Sequence, residues 1–279
     1  MRRPSAAAYV RRVDLVQVLP QVHMFRLRIG QAYLWRDGVD LTLIDAGDIA
    51  SAAAIEDTVR APGHDPARIR RIVITHGHRD HYGAAQELAD RYGAEILAHA
   101  LDAPVIRGER PVPEPDLLDW ERPLYAQGLT CPEAPPTRVD RELTGGEVLP
   151  FGDGARVVHA PGHTPGSIAL HLPRHGVLFT GDAVASAERV MLGVFNVDRA
   201  GAAATFRRLA ALAPRTVCFG HGDPLTEEAA AVMEAAANGG RGRPGVRRAQ
   251  GFRGDARRPG RTPAPVRVPL SPPAPPPPG

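Results

Sequence analysis

The segment Thr75-His76-Gly77-His78-Arg79-Asp80-His81 follows directly on the apolar run Ile69 to Ile74, IRRIVI. Four groups able to bind a metal ion thus crowd the end of what reads as a buried strand. His76 and His78 stand at i and i+2, so extended backbone sends both imidazoles to one side with Cα atoms roughly 7 Å apart. That spacing lets two nitrogens share one ion. Asp80 and His81 fall where the chain must turn toward a helix beginning near Gly83, so their side chains can diverge and meet a second ion. Neutral imidazole and carboxylate are both good zinc ligands. Any one of these histidines could equally be a solvated turn residue, and the constellation decides between the readings.

Three further candidates recur in the same setting. His163 lies in PGHTPGS after the strand-like run 155–160, Asp182 in TGD after 176–180, and His221 in GHG after 215–219. Several strands each ending in a ligand beside a glycine are hard to explain as surface polarity, because strand ends on a rigid sheet are where sites are built.

The rest of the chain supplies the scaffold. Residues 14–45 run apolar in short bursts broken by Pro20, Gly30 and Arg36-Asp37-Gly38, which predicts a meander of consecutive strands. Ala-rich stretches with apolar residues three and four apart predict helices over 51–60, 83–92, 199–212 and 224–236, and strands are expected at 69–74, 94–100, 155–160, 167–172, 176–180 and 215–219. Two groups of strands, each followed by helices, predict an α/β sandwich of two sheets covered outside by helices.

Residues 101–146 interrupt this order with eight Pro and the apolar side chains Leu117, Leu118, Trp120, Leu124 and Tyr125. A loop of this length is usually functional or disordered, and it is read here as a lid whose apolar residues line a pocket. Residues 239–279 hold eleven Pro and eight Gly and end in PPAPPPPG. Such a composition cannot bury enough apolar surface to offset ordering, so this tail is expected to be disordered, with residues 1–238 forming the folded domain.

The formal charge of +3 conceals an asymmetry. The tail carries nine Arg against one Asp, which leaves 25 basic and 30 acidic side chains in residues 1–238. A body that is net negative argues against nucleic acid as a partner, since phosphate contacts require a basic surface. Cys131 and Cys218 form no disulfide framework, and neither has the setting of a nucleophile. No apolar run approaches the ~20 residues of a membrane span, and the first residues lack an apolar signal core, so a cytoplasmic protein without membrane contact is expected.

His-x-His-x-Asp-His followed in order by PGHTPGS, Gly-Asp and Gly-His-Gly resembles the metallo-β-lactamase superfamily, over roughly residues 14–236. The resemblance implies an αββα four-layer sandwich of two mixed sheets flanked by helices. It implies that His76, His78 and His163 hold one metal ion, that Asp80, His81 and His221 hold another, and that Asp182 bridges them. Asp45 in LIDAG falls where the family has an aspartate close to the ligands but not one of them. Gly83-Ala84 stands in place of the usual Gly-Gly, and Phe219 in place of a frequent Pro, and neither change removes a ligand. The remaining histidines, His23, His64, His99, His159, His171 and His175, are read as scaffold.

Two divalent ions, zinc first with iron or manganese as alternatives, would make a bridging hydroxide available near neutral pH, with Asp80 and Asp182 as catalytic carboxylates. Within the superfamily, the flavo-diiron type would need a carboxylate at His78. Two-zinc β-lactamases generally have Cys at Asp182. The glyoxalase II type carries a helical extension for glutathione that is not evident here. The expectation is a glyoxalase II-like hydrolase of a small ester, thioester or lactone. A phosphodiesterase or nuclease, and a non-catalytic metal-binding module whose tail recruits a partner, are the alternatives. A complete set of ligands favours catalysis, because a purely structural site would close its coordination.

Overall fold

The computed structural model describes residues 14–239, so residues 1–13 of the expected 1–238 domain and the remainder of the Pro-rich tail lie outside the described residues. In chain order, strands β1 (Asp14–Leu19), β2 (Val22–Arg26), β3 (Gln31–Asp37) and β4 (Asp40–Ile44) lead into helix α1 (Ala52–Arg60) and strand β5 (Ile69–Val73). A short α2 (Arg79–Tyr82) and α3 (Ala85–Tyr92) precede β6 (Glu95–His99), followed by α4 (Ala103–Ile106), α5 (Arg122–Gly128) and β7 (Arg141–Leu143). Next come β8 (Val148–Leu149), β9 (Ala155–His159), β10 (Ile168–Leu172), β11 (Val177–Phe179), β12 (Val184–Ser186) and β13 (Val190–Leu192). Helix α6 (Arg199–Ala210), β14 (Thr216–Cys218) and α7 (Ala229–Ala237) complete the described chain.

The strands form two mixed sheets. The first has the order β1-β2-β3-β4-β5-β6-β7, antiparallel as far as β4 and parallel from β4 to β7. The second has the order β14-β11-β10-β9-β8, with β14 and β11 parallel and the rest antiparallel. A separate ribbon pairs β12 with β13.

Side-chain alternation explains the layering. Along the first sheet Leu34, Leu43, Ile72 and Ile96 face α1 and α3, where Ile55, Val59 and Leu88 complete one core. Their neighbours Tyr33, Trp35, Ile44, Val73 and Leu97 point the other way, into a core shared with Ile168, Leu170, Leu172, Val177 and Phe179 of the second sheet. Ala169, Leu178, Val217 and Phe219 face outward again, against Phe206 and Leu209 of α6 and Met233 of α7. A period of two on both sheets and helical spacing on the outer layers gives the αββα sandwich predicted from the sequence.

Three expectations need correction in detail. The helix predicted over 224–236 starts only at Ala229, because Leu225 exchanges backbone hydrogen bonds with Val217 at the edge of β14. The end of the 101–146 stretch joins the first sheet as β7, and Asp102 belongs to the strand-end architecture. The ribbon β12–β13 had no counterpart among the predicted strands, each strand being only three residues long. Among the described residues no helix is long and apolar enough to cross a membrane.

Candidate metal centre

Strands β4, β5 and β6 run parallel, and β9, β11 and β14 run parallel to one another, so each sheet presents a set of carboxyl ends. The hydrogen bond from Ile168 N to Thr75 O, 2.8 Å, joins the two sheets at that edge. All seven predicted site residues lie there.

The backbone of His78 is extended, at φ −93° and ψ 141°, immediately before α2 begins. His76 and His78 therefore still follow the strand pattern, and His76 Nε2 lies 3.1 Å from His78 Nδ1. Asp80 and His81 stand on the first helical turn and diverge from them. His163 enters from the loop between β9 and β10, placing its Nε2 3.0 Å from His78 Nδ1. Asp182 sits on a single helical turn after β11, and His221 directly follows Gly220 after β14. A side chain at Gly220 would put Cβ 1.9 Å from Asp182 Oδ1, so only glycine lets the two segments approach this closely.

Asp182 occupies the middle. Its Oδ2 lies 3.8 Å from His76 Nε2, 3.7 Å from His163 Nε2 and 3.3 Å from His221 Nε2, and its Oδ1 lies 3.5 Å from His81 Nε2. Asp80 Oδ2 is 3.7 Å from His81 Nε2 and 3.5 Å from His221 Nε2. Three groups that could hold an ion result: His76 with His78 and His163; His76 with His81 and Asp182; and Asp80 with His81 and His221, each with its donor atoms within 4.8 Å of one another.

The outer nitrogens fix the inner ones. Thr75 Oγ1 donates to Asp45 Oδ2, 2.8 Å, and so accepts from His76 Nδ1, 3.0 Å, leaving the lone pair on His76 Nε2. His81 Nδ1 donates to Asp45 Oδ2, 2.9 Å, and His163 Nδ1 to Val194 O, 3.0 Å. Three inward nitrogens are thereby committed as acceptors. Such an arrangement leaves lone pairs converging on one another unless something electron-poor sits between them. His81 Nε2 and Asp182 Oδ1 are indeed buried with no hydrogen-bond partner. An unpartnered buried acceptor is costly, and a cation between these atoms would satisfy both. The donor set fits divalent metal.

The electrostatics point the same way. Burial pushes the imidazoles of His76 and His78 down, and that of His163 down to about 3, which keeps all three neutral and available as donors. Burial would raise the Asp80 and Asp182 carboxyls, but His81 and His221 hold both well below the usual carboxylate range. Without an ion, Asp182 raises His221 to about 10 against its burial, and Asp182, Asp80 and Asp45 raise His81 well above its ordinary value, so the inward nitrogen of His81 then takes up a proton that a bound ion would displace. The two carboxylates thus draw positive charge into the pocket. His76, His81 and His163 form a buried floor, whereas the side chain of His221 is 41% exposed and marks the open side.

Asp45 lies beneath the cluster, as its position after a strand suggested, accepting from Thr75 N, Thr75 Oγ1 and His81 Nδ1. Asp102 was not anticipated. It is buried and accepts from Gly77 N, 2.8 Å, Thr164 Oγ1, 2.6 Å, and Gly166 N, 2.7 Å, clamping the His76–His78 loop to the His163 loop. Its only signal in the sequence is a charged residue just past the end of β6. His99 and His159 stack on each other at 4.2 Å outside the cluster, consistent with a scaffold role.

Fold and site together define an α/β sandwich with a His/Asp cluster at its strand ends. The sequence profile of the metallo-beta-lactamase superfamily matches residues 26–221, and the chain belongs to that superfamily. It is 29% identical to a probable metallo-hydrolase, YflN, of Bacillus subtilis over 74% of this chain and 85% of that protein. It is 32% identical to the hydroxyacylglutathione hydrolase of Rhodobacter capsulatus over 68% of this chain, and 36% identical to the acyl-coenzyme A thioesterase MBLAC2 of Gallus gallus over 51% of it. Those matches span only 61% and 53% of the two relatives' own lengths. Among solved structures, the subclass B3 metallo-beta-lactamase BJP-1 of Bradyrhizobium japonicum superposes with a TM-score of 0.61 at 20% identity, covering 81% of this chain and 90% of that one. At that identity the likeness speaks for the fold alone.

Proposed function

We propose that the protein is a binuclear metal-dependent hydrolase acting on the acyl bond of a small thioester or ester, with His76, His78, Asp80, His81, His163, Asp182 and His221 as the metal-binding side chains. The observation that carries this reading is the position of Asp182, 3.3–3.8 Å from inward nitrogens of both histidine groups. His76, His78 and His163 would hold one ion, Asp80, His81 and His221 the other, and Asp182 both. Bound ions would bring the pKa of a shared water from 15.7 to about 7 and polarise the acyl oxygen.

The chain's own groups then set the course. The neutral imidazoles of His76, His78 and His163 act as donors at neutral pH without first losing a proton. Thr75 Oγ1, Asp45 and Val194 O hold the outward ring nitrogens of His76, His81 and His163 respectively, so the inner faces of those three rings cannot rotate. Asp80, with its side chain 19% exposed at the rim, is placed to pass a proton to solvent, while Asp182 is only 11% exposed and holds its place between the groups. Substrate enters on the side of His78, Asp80 and His221. Water adds to the acyl carbon, the bond to sulfur or oxygen breaks, and a carboxylic acid and a thiol or alcohol leave.

The named activities of the hydroxyacylglutathione hydrolase and thioesterase relatives favour thioesters within this class. Among the described residues no Ser or Cys stands in the cluster as a nucleophile, which agrees with direct attack by water. Cys131 is buried with its thiol pushed up to about 11, and Cys218 lies in the inter-sheet core. The test is hydrolysis of a panel of thioesters, esters, lactones, β-lactams and phosphodiesters. Cleavage of the acyl substrates that a chelator abolishes and zinc restores is expected. Cleavage that survives full metal removal, or confined to phosphodiesters, would overturn the proposal.

A further inference from the structure

The loop between β13 and α6 contains a bulky residue in a conformation that disfavours it. Phe195 has φ +60°, the left-handed region that glycine, and to a lesser degree Asn, adopts readily. The residues around it explain why the backbone is held there. Val194 O accepts from His163 Nδ1, Val197 N donates to His163 O, 3.2 Å, and Asp198 N donates to Gly162 O, 2.9 Å, so the loop wraps the His163 turn. Those contacts account for the backbone and would be served equally well by glycine. They do not account for the aromatic ring.

The ring packs edge-to-face on Tyr125 of α5, with centroids 5.3 Å apart and planes inclined at 64°. Helix α5 belongs to the Pro-rich stretch read as a lid, and its anchors show where it lies. At one end Glu121, fully buried, takes the Arg199 guanidinium on both carboxylate oxygens, and Asp116 N donates to Asn196 O, 2.9 Å. At the other end Leu129 O accepts from Arg79, the residue between His78 and Asp80. The segment is therefore tied beside His163 at one end and beside His78 and Asp80 at the other.

The two ends of this span differ in chemistry. The Arg79 end is charged, with the guanidinium also paired to Glu133. At the Phe195 end the Glu121 carboxylate is buried and neutralised by Arg199, and the half-buried rings of Tyr125 and Phe195 supply an aromatic surface. Resting on the hydrolase reading above, we infer that Tyr125 and Phe195 form the subsite for an apolar acyl group, so that the preferred substrates are thioesters of medium-length alkyl or aromatic acids over acetyl thioesters. The ring is explained by what it touches and not by the turn that carries it: it meets Tyr125 of α5, and the half-buried pair is brought beside the His163 loop.

The experiment pairs S-octanoyl and S-acetyl thioesters of one small thiol as substrates of the metal-loaded chain, with calorimetric binding of octanoate and acetate, the corresponding acids, as a readout free of turnover. Phe195→Asn keeps a residue that tolerates the left-handed backbone, and Tyr125→Ala removes the partner ring from α5 without altering the loop that holds His163. The expected result is a wild-type preference for octanoyl in kcat/KM that falls roughly tenfold in each variant, carried by KM, with octanoate binding weakened in parallel. Loss of octanoate binding on Tyr125→Ala in a protein that cleaves no thioester would uphold the subsite and sink the hydrolase reading. A wild-type enzyme without chain-length preference in either readout, or a preference that both variants retain, would overturn the inference.

Discussion

The floor of the candidate site and the 101–146 stretch proposed as its lid are built in opposite ways. On the floor His76, His81 and His163 are at most 1% exposed, and every outward ring nitrogen is committed to Thr75, Asp45 or Val194. The lid leaves Leu118, Trp120, Leu124 and Leu129 between 39% and 55% exposed and is fixed at a few points, the Glu121–Arg199 pair chief among them. Electrostatic preorganisation needs the first kind of construction, since donors that rotate cannot hold a charge in place. Adaptation to different substrates is served by the second. Substitutions on the floor should therefore alter metal binding and stability, while those on the lid should alter only substrate range.

The largest effect on metal binding is expected at Asp45. Its replacement by Asn would turn an amide NH₂ toward Thr75 Oγ1 or His81 Nδ1, so His81 would adopt the other tautomer and present N–H to the pocket. Asp45→Asn should weaken metal affinity by about 10–100-fold, measured by competition with a chromogenic chelator. Unchanged affinity would show that the floor is less finely set than described.

Asp102→Ala would strand two buried donors, Gly77 N and Gly166 N, and leave Thr164 Oγ1 only its contact with Ser167. A loss of about 2–4 kcal/mol in chemical denaturation is expected, because unsatisfied buried donors cost roughly 1–3 kcal/mol each and water recovers part of that. A loss below about 1 kcal/mol would mean the two histidine loops hold together without the clamp.

The metal-free protein should have a two-sided pH dependence. For His163, lowered by burial to about 3, the stabilising contribution is fully present above the unfolded value near 6.5 and is lost as pH falls through that window; His76 and His78 act in the same direction. For His221, raised to about 10 by Asp182, the contribution is fully present below 6.5 and is lost as pH rises through about 10. Thermal melts of chelator-treated protein from pH 4 to 10 should peak near neutrality, and loaded protein should resist the acid side. A flat acid limb would contradict the assignment of buried neutral imidazoles.

The smallest effect is expected on the lid. Trp120→Ser, at a half-exposed ring, should change stability by no more than about 0.5 kcal/mol and leave metal affinity unaltered. A larger loss would place the lid within the cooperative core and erase the contrast.

What could be read from the sequence follows the range of the interactions. The gathering of the seven candidate side chains at one edge was legible because each follows an apolar strand run and lies near a glycine, a local pattern within a few residues. The layers were legible because the alternation of Leu34 against Tyr33 and Trp35 is a local period. Asp102 was not, because its partners Gly77 and Thr164 lie 25 and 62 residues away. The lid's anchor was hidden for the same reason, Glu121 and Arg199 being 78 apart. Residues 224–228 were mistaken for helix because the bridge to Val217 that holds Leu225 extended leaves no periodic trace.

The central claim is that Asp182 joins two ion sites into one centre, and elemental analysis of the purified chain tests it most directly, alongside Asp182→Ala. The account predicts two divalent ions per wild-type chain and at most one in the variant, whose fold by circular dichroism stays intact. One ion or none in the wild type, or two retained by the variant, would contradict it.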